Sequence, residues 1–179
     1  TSSVLERIET IKENALPFDY IWMDAGWYGS DTKPTPDEFE GDWAQHTGDW
    51  RVSPLIHPGG LRDVSEAAHA AGMKFLLWFE PERVQRGTPI TASHPEYFIF
   101  PESERNTNLL LDLGNDDAWN YCFNTLSHLI KDIGIDCYRQ DFNMSPLSYW
   151  RKKDMEDRKG ITEIKHIMSV MGATNGFTT

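Results

Sequence analysis

Apolar and polar residues along this chain fall into blocks whose period switches between helix-like and strand-like. Val4, Leu5, Ile8 and Ile11 recur at helical spacing among charges, predicting an amphipathic helix over residues 3–14 with Ser2 or Ser3 as its cap. Pro17 ends it. Phe18 to Met23 is a short apolar run closed by Asp24 and Gly26; too short for a helix and flanked by breakers, it reads as a buried parallel strand. Residues 29–60 keep neither period, so they are expected to form one long loop. Loops of that length are usually functional or disordered, and Phe39, Trp43 and Trp50 favour the functional option.

Leu61, Val64, Ala67, Ala68 and Ala71 then share one helix face, with Gly72 as a left-handed C-terminal cap. Lys74 to Phe79 reads as a second strand, ending in Glu80 and broken by Pro81. A short extra element is expected around Tyr97 to Phe100, and Leu109 to Leu111 as a third strand ending at Asp112. Asn115 is placed to cap a helix whose apolar face includes Trp119, Cys122, Leu126 and Ile133. Gly134 stops it, and Ile135 to Arg139 form a fourth strand that runs into Asp141. After a loop of Pro, Ser and charges, another helix begins near Ile161, with a frayed end expected over 167–179. Helices alternating with strands in this way predict an α/β fold with a parallel sheet.

Charge and composition narrow the partners. The formal net charge is −11, and the one dense basic run, Arg151, Lys152 and Lys153, is followed by Asp154, Glu156 and Asp157. It reads as a solvated mixed-charge loop, so nucleic acid is not expected as a partner. With 25% charged residues and no long apolar run, no membrane span is expected either. Thr1 to Asn14 lacks the charged head and apolar run of a signal peptide. Cys122 and Cys137 suit neither a disulfide framework nor a zinc site, and are expected to be buried small residues.

The candidate chemistry lies where strands end. Asp24, Glu80, Asp112 and Asp141 each close one of the four expected strands. In parallel α/β folds the strand C-termini carry the active site, and four buried carboxylates are costly without partners. Asp112 reads better as a turn cap beside Gly114, and Glu80 divides evenly between cap and function. Asp24 and Asp141 favour function. Of seven tryptophans, four lie at strand ends or in the loops that follow, where flat rings beside carboxylates suit a sugar. Trp22 and Trp119 are expected in the core. The same carboxylates could hold Mg²⁺ as a rival use, but the scattered histidines argue against zinc. Dinucleotide, phosphate-loop and serine-hydrolase motifs do not occur.

Five segments carry a resemblance: WMDAGWY (22–28), GDW (48–50), GMKFLLWFEPE (72–82), LLLDLGN (109–115) and YRQDFN (138–143). In order and spacing they resemble glycoside hydrolase family 36, the microbial α-galactosidases and their relatives, over about residues 15–166. The resemblance implies that residues 1–179 are part of a catalytic TIM (β/α)₈ barrel, about its first four βα units. It implies retaining hydrolysis of terminal α-galactosides without metal or other cofactor, with Asp141 as nucleophile and the general acid/base lying beyond this sequence, so that the segment alone is expected to be inactive. Asp24, Trp27, Trp78, Arg105, Arg139 and Asn143 then become expected substrate-binding residues. Arg139 stands where the family usually has Lys, keeping the charge but not the ammonium geometry. Ala25 stands where the family commonly has a second Asp, which keeps open a related α-glycosidase or transglycosidase with another sugar, or a silent carbohydrate-binding segment. The implied partner is an α-galactoside oligosaccharide, with a homo-oligomer possible in the full-length enzyme.

Overall fold

The computed structural model describes residues 1–31 and 43–176. Phe39, named above, lies outside the described residues. By their contacts the described residues form two compact units, one of 1–31, 43–46, 50–79 and 128–141, the other of 47–49, 80–127 and 142–176.

The first unit is built on a three-stranded parallel sheet. Helix α1 (Ser2–Glu13) leads to β1 (Tyr20–Met23), and α2 (Arg62–Ala70) leads to β2 (Lys74–Phe79). Strand β1 pairs with β2 from Tyr20 opposite Lys74 to Met23 opposite Leu77. The other edge of β2 takes β6 (Cys137–Gln140), from Leu76 opposite Cys137 to Phe79 opposite Gln140. Alternation along β2 explains the packing: Phe75 and Leu77 are fully buried on the side shared with Val64 and Ala68 of α2, whereas Lys74 is exposed and Leu76 half-buried. Burying side chains of that size is worth about 1.5–3 kcal/mol each. Tyr20 and Trp22 lie on the opposite, open face. Gly72 and Gly134, at φ +78° and +79°, end α2 and α4 (Asp116–Ile133) in the left-handed conformation that an L side chain resists.

The second unit holds an antiparallel sheet in the order β3 (Arg83–Gln85), β5 (Asn108–Leu111), β4 (Phe98–Ile99). Here the structure corrects the sequence reading, because Leu109 to Leu111 form a strand but pair antiparallel with both neighbours. Both faces are covered. Leu109 and Leu111 pack with Val84, Ile90, Phe98 and Ala118, while Leu110 packs with Ile99, Tyr149 and Trp150. Ile90 comes from the short helix α3 (Pro89–Ser93), and Tyr149 and Trp150 from α5 (Leu147–Lys153). A last helix, α6 (Ile161–Gly176), carries His166 against Trp150 and Phe142.

Several local expectations change. Helix α1 starts at Ser2, with Thr1 in the cap position; the Thr1 hydroxyl meets His57 Nδ1 at 2.9 Å and bonds no helix amide. The Arg151–Lys153 run lies on α5, where Arg151 bonds Asp154 and Glu163, Lys152 donates to the Phe100 and Pro101 carbonyls, and Lys153 pairs with Asp112. Helix continues through 167–176, where a frayed end was expected. Cys122 and Cys137 are half-buried and unlinked. Among the described residues no helix is long and apolar enough to cross a membrane.

Candidate active site

Strand ends in the first unit bring together four of the expected residues. Asp24 directly follows β1 and Asp141 directly follows β6, both at the C-terminal edge of the sheet, while Trp78 and Arg139 are register partners on β2 and β6. Period-two alternation places Trp22, Trp78 and Arg139 on the same face. That face is open at Trp22 and covered at Trp78.

The Trp78 indole Nε1 donates to Asp141 Oδ2 at 3.0 Å, so the carboxylate is held through one of its oxygens. The Asp141 backbone N–H donates to the Phe79 carbonyl at 2.8 Å, extending the ladder beyond the strand. Two residues earlier, the Arg139 guanidinium lies 4.5 Å over the Trp22 ring and 3.7 Å from Asp24 Oδ2. Asp24 Oδ1 accepts the Ala25 N–H at 2.8 Å. This pair remains open to solvent, Asp24 being 51% and Arg139 37% exposed along its side chain. A carboxylate and a guanidinium so placed offer acceptors and forked donors to a polyhydroxylated ligand.

Trp27 and Trp78, expected to face a sugar, are each only 1% exposed. The Trp27 indole donates to the Trp78 carbonyl at 2.9 Å, and its ring meets Phe79, Tyr28 and Trp50. Trp78 is in turn packed by Tyr28, Trp43 and Trp50. These rings pack around the Trp78 indole and fix it in place. Trp22, expected in the core, is instead 52% exposed. A run of apolar letters carried no signal for that, because nothing in Phe18 to Met23 marks which face lacks a cover.

The other expected residues belong to the second unit. Arg105 is exposed in the segment before β5, its backbone N–H donating to Ser103 Oγ at 3.3 Å. Asn143 donates through its backbone N–H to Glu80 Oε1 at 2.5 Å and through Nδ2 to Glu80 Oε2 at 3.4 Å. Glu80 is fully buried, and Arg83 grips it with Nε at 2.9 Å and Nη2 at 2.6 Å. It is neither a helix cap nor open to a ligand. Arg83 was missed by the sequence reading, although the Glu80–Arg83 spacing across Pro81 was its one available signal. Asp112 is buried with Lys153 as its partner, and its carbonyl accepts the Asn115 N–H as a turn requires. Among the described residues no three potential metal ligands gather in one cluster.

Residues 4–179 match the Melibiase family model. The chain is 25% identical over 181 aligned positions to α-galactosidase Mel36A of Lactobacillus acidophilus, covering 97% of this chain and 23% of that protein. The crystal structure of an α-galactosidase from Lactobacillus brevis superposes with a TM-score of 0.80 at 24% identity, covering 99% of this chain and 23% of the other. A GH36 α-galactosidase, AgaA from Geobacillus stearothermophilus, crystallised as a variant in complex with raffinose, gives 0.77 at 22% identity, again covering 97% and 23%. The chain thus spans about a quarter of the length of these relatives.

Proposed function

Since the chain belongs to the melibiase family, we propose that it is the opening part of a (β/α)₈ catalytic barrel in a retaining glycosidase acting on terminal α-galactosides, with Asp141 as nucleophile. One observation carries the reading: a carboxylate at a parallel strand end, held by a buried indole, two residues from an arginine that pairs with a second strand-end carboxylate. The parallel order β1–β2–β6, with an acid directly after β1 and β6, supports the barrel reading.

In this reading the sugar lies over the open face. Asp24 and Arg139 bind hydroxyls, and the Trp78 N–H fixes the direction of the Asp141 carboxylate. A carboxylate oxygen of Asp141 bonds to the anomeric carbon as the glycosidic C–O bond breaks, and the departing oxygen takes a proton from a second carboxyl group. In retaining enzymes that group stands about 5–5.5 Å from the nucleophile, and the family resemblance puts it in sequence beyond these residues. Its conjugate base then takes a proton from water, whose oxygen attacks the anomeric carbon and releases Asp141. Raffinose in the AgaA complex supports an oligosaccharide substrate.

The test uses the full-length enzyme. Asp141→Gly should abolish turnover of p-nitrophenyl α-galactoside while galactose still binds, and added azide should restore turnover with a β-configured galactosyl azide as product. Wild-type-like turnover, or an α-configured azide, would place the nucleophile elsewhere. Ala25 supports a second reading, a related α-glycosidase or transglycosidase with another sugar, because a methyl group stands where the family commonly has a second carboxylate. A panel of aryl α-glycosides separates the two.

A further inference from the structure

We propose that Glu80 is a positioning residue for the nucleophile, an inference that rests on the reading of Asp141 above. Three consecutive residues, Trp78, Phe79 and Glu80, hold the segment from Asp141 to Asn143 at three points. The Trp78 indole donates to Asp141 Oδ2 at 3.0 Å, the Phe79 carbonyl accepts the Asp141 N–H at 2.8 Å, and Glu80 Oε1 accepts the Asn143 N–H at 2.5 Å. The first two fix the carboxylate and its own amide. The third fixes the backbone two residues further on, where β6 has ended and no strand ladder constrains the chain.

Glu80 is built for holding. Its side chain has no exposed surface, and both oxygens are engaged: Oε1 by Arg83 Nε and the Asn143 N–H, Oε2 by Arg83 Nη2 and Asn143 Nδ2. The paired Arg83 contacts fix the plane of the carboxylate, and charge-assisted bonds of this kind are short and directional. A buried carboxylate is costly to maintain, and a neutral side chain packed at this point would serve a purely structural purpose at lower cost. Placement of the segment that carries Asp141 accounts for its presence. Misplacing a reacting group by about 1 Å can lower a rate by about 100-fold.

The experiment uses the full-length enzyme and a galactose-configured epoxide inactivator. Asp141 opens the strained ring and forms an ester, while the ring oxygen takes up a proton from the enzyme's acid and becomes a hydroxyl. Peptide mapping identifies the labelled residue, and kinetics separate reversible binding (Ki) from bond formation (kinact). In Glu80→Gln, kinact should fall about 10- to 100-fold with Ki unchanged within about twofold. The double variant Glu80→Gln/Arg83→Gln removes the uncompensated buried cation and should show the same fall in kinact if the single variant folds poorly. A purely structural role would reduce the yield or melting temperature while each folded molecule labelled at the wild-type rate, and that result in either variant would overturn the proposal. Label on a residue other than Asp141 in the wild type would instead overturn the nucleophile assignment, so the two failures are distinguishable.

Discussion

Gly48, the first residue of the GDW segment, offers a stability test that can be worked from the structure. It holds φ +96°, and a Cβ built there would lie 2.5 Å from Val84 Cγ1, 2.9 Å from Cγ2 and 3.0 Å from Cβ. Gly48→Ala therefore carries two costs. The left-handed backbone costs an L residue about 1–2 kcal/mol, and forcing a methyl against a buried, stiff β-branched side chain costs about 1–3 kcal/mol more. The sum is about 2–5 kcal/mol, a large share of the roughly 5–15 kcal/mol that stabilises an ordinary domain. Gly87 isolates the first cost, because it has φ +94° with nothing within 4 Å of its virtual Cβ. Gly87→Ala should lose only about 1–2 kcal/mol. Urea unfolding followed by tryptophan fluorescence measures both, and Val84→Ala added to Gly48→Ala should recover part of the loss, giving a non-additive pair. Equal destabilisation by Gly48→Ala and Gly87→Ala would refute the argument, since no separate crowding cost would then exist.

Three further outcomes follow from the geometry. Trp78→Phe removes the Nε1 donor to Asp141; a hydrogen bond to a charged group is worth about 1.5–3 kcal/mol, so kcat/KM for an aryl α-galactoside should fall by about 10- to 150-fold, and an unchanged value would deny the indole any part in the site. Arg139→Lys keeps a charge near Asp24 but loses the planar contact with Trp22; at so exposed a position the loss is about 0.5–1 kcal/mol, read as a two- to fivefold rise in KM, and a change above 100-fold would mean the arginine does more than bind. His166 is buried and pushed down to about 4, so between pH 6.5 and 4 the unfolded chain binds a proton that the native chain does not. Its contribution to stability is therefore complete above pH 6.5 and declines by about 3 kcal/mol as pH falls to 4. Urea midpoints from pH 7 to 4 should fall less steeply in His166→Gln, and an identical slope would show that this histidine protonates without cost in the native state.

How much of this was legible depended on whether the information was local. Lys74 to Phe79 was readable to the residue because the apolar run Phe75 to Phe79, lying between Gly72 and Pro81, leaves little choice. Asn115 was readable as a cap because the Asx geometry is written in one residue, and its Oδ1 does accept the Asp117 N–H at 3.0 Å. Leu109 to Leu111 was legible as a strand but not in its pairing, because an apolar run says that both faces are buried and leaves the direction of the neighbours open. Strand β3, with Arg83 and Gln85 flanking a single valine, had no pattern to find. Helix α5 is seven residues long, shorter than the window over which a 3.6 period shows. At the site, the strand-end acids were visible and their environments were not. Exposure of Trp22 and burial of Trp27 depend on residues far away in sequence.

The two sheets differ in how far the chain must travel to close them. In the antiparallel sheet Phe98 meets Leu111 and Arg83 meets Leu110, separations of 13 and 27 residues. In the parallel sheet Tyr20 meets Lys74 and Leu76 meets Cys137, separations of 54 and 61. Closing the longer loops costs about 1 kcal/mol more entropy per contact than closing the 13-residue one, and non-local pairing slows folding. The antiparallel sheet is thus expected to form early, and the strands that end in Asp24 and Asp141 to zip up afterwards. Because it lies inside the connection between β2 and β6, its formation shortens the effective loop that brings those two strands together. The inserted sheet is then expected to aid folding, and Gly48→Ala, whose added methyl crowds Val84 of β3, would delay assembly of the parallel sheet in addition to weakening the finished protein.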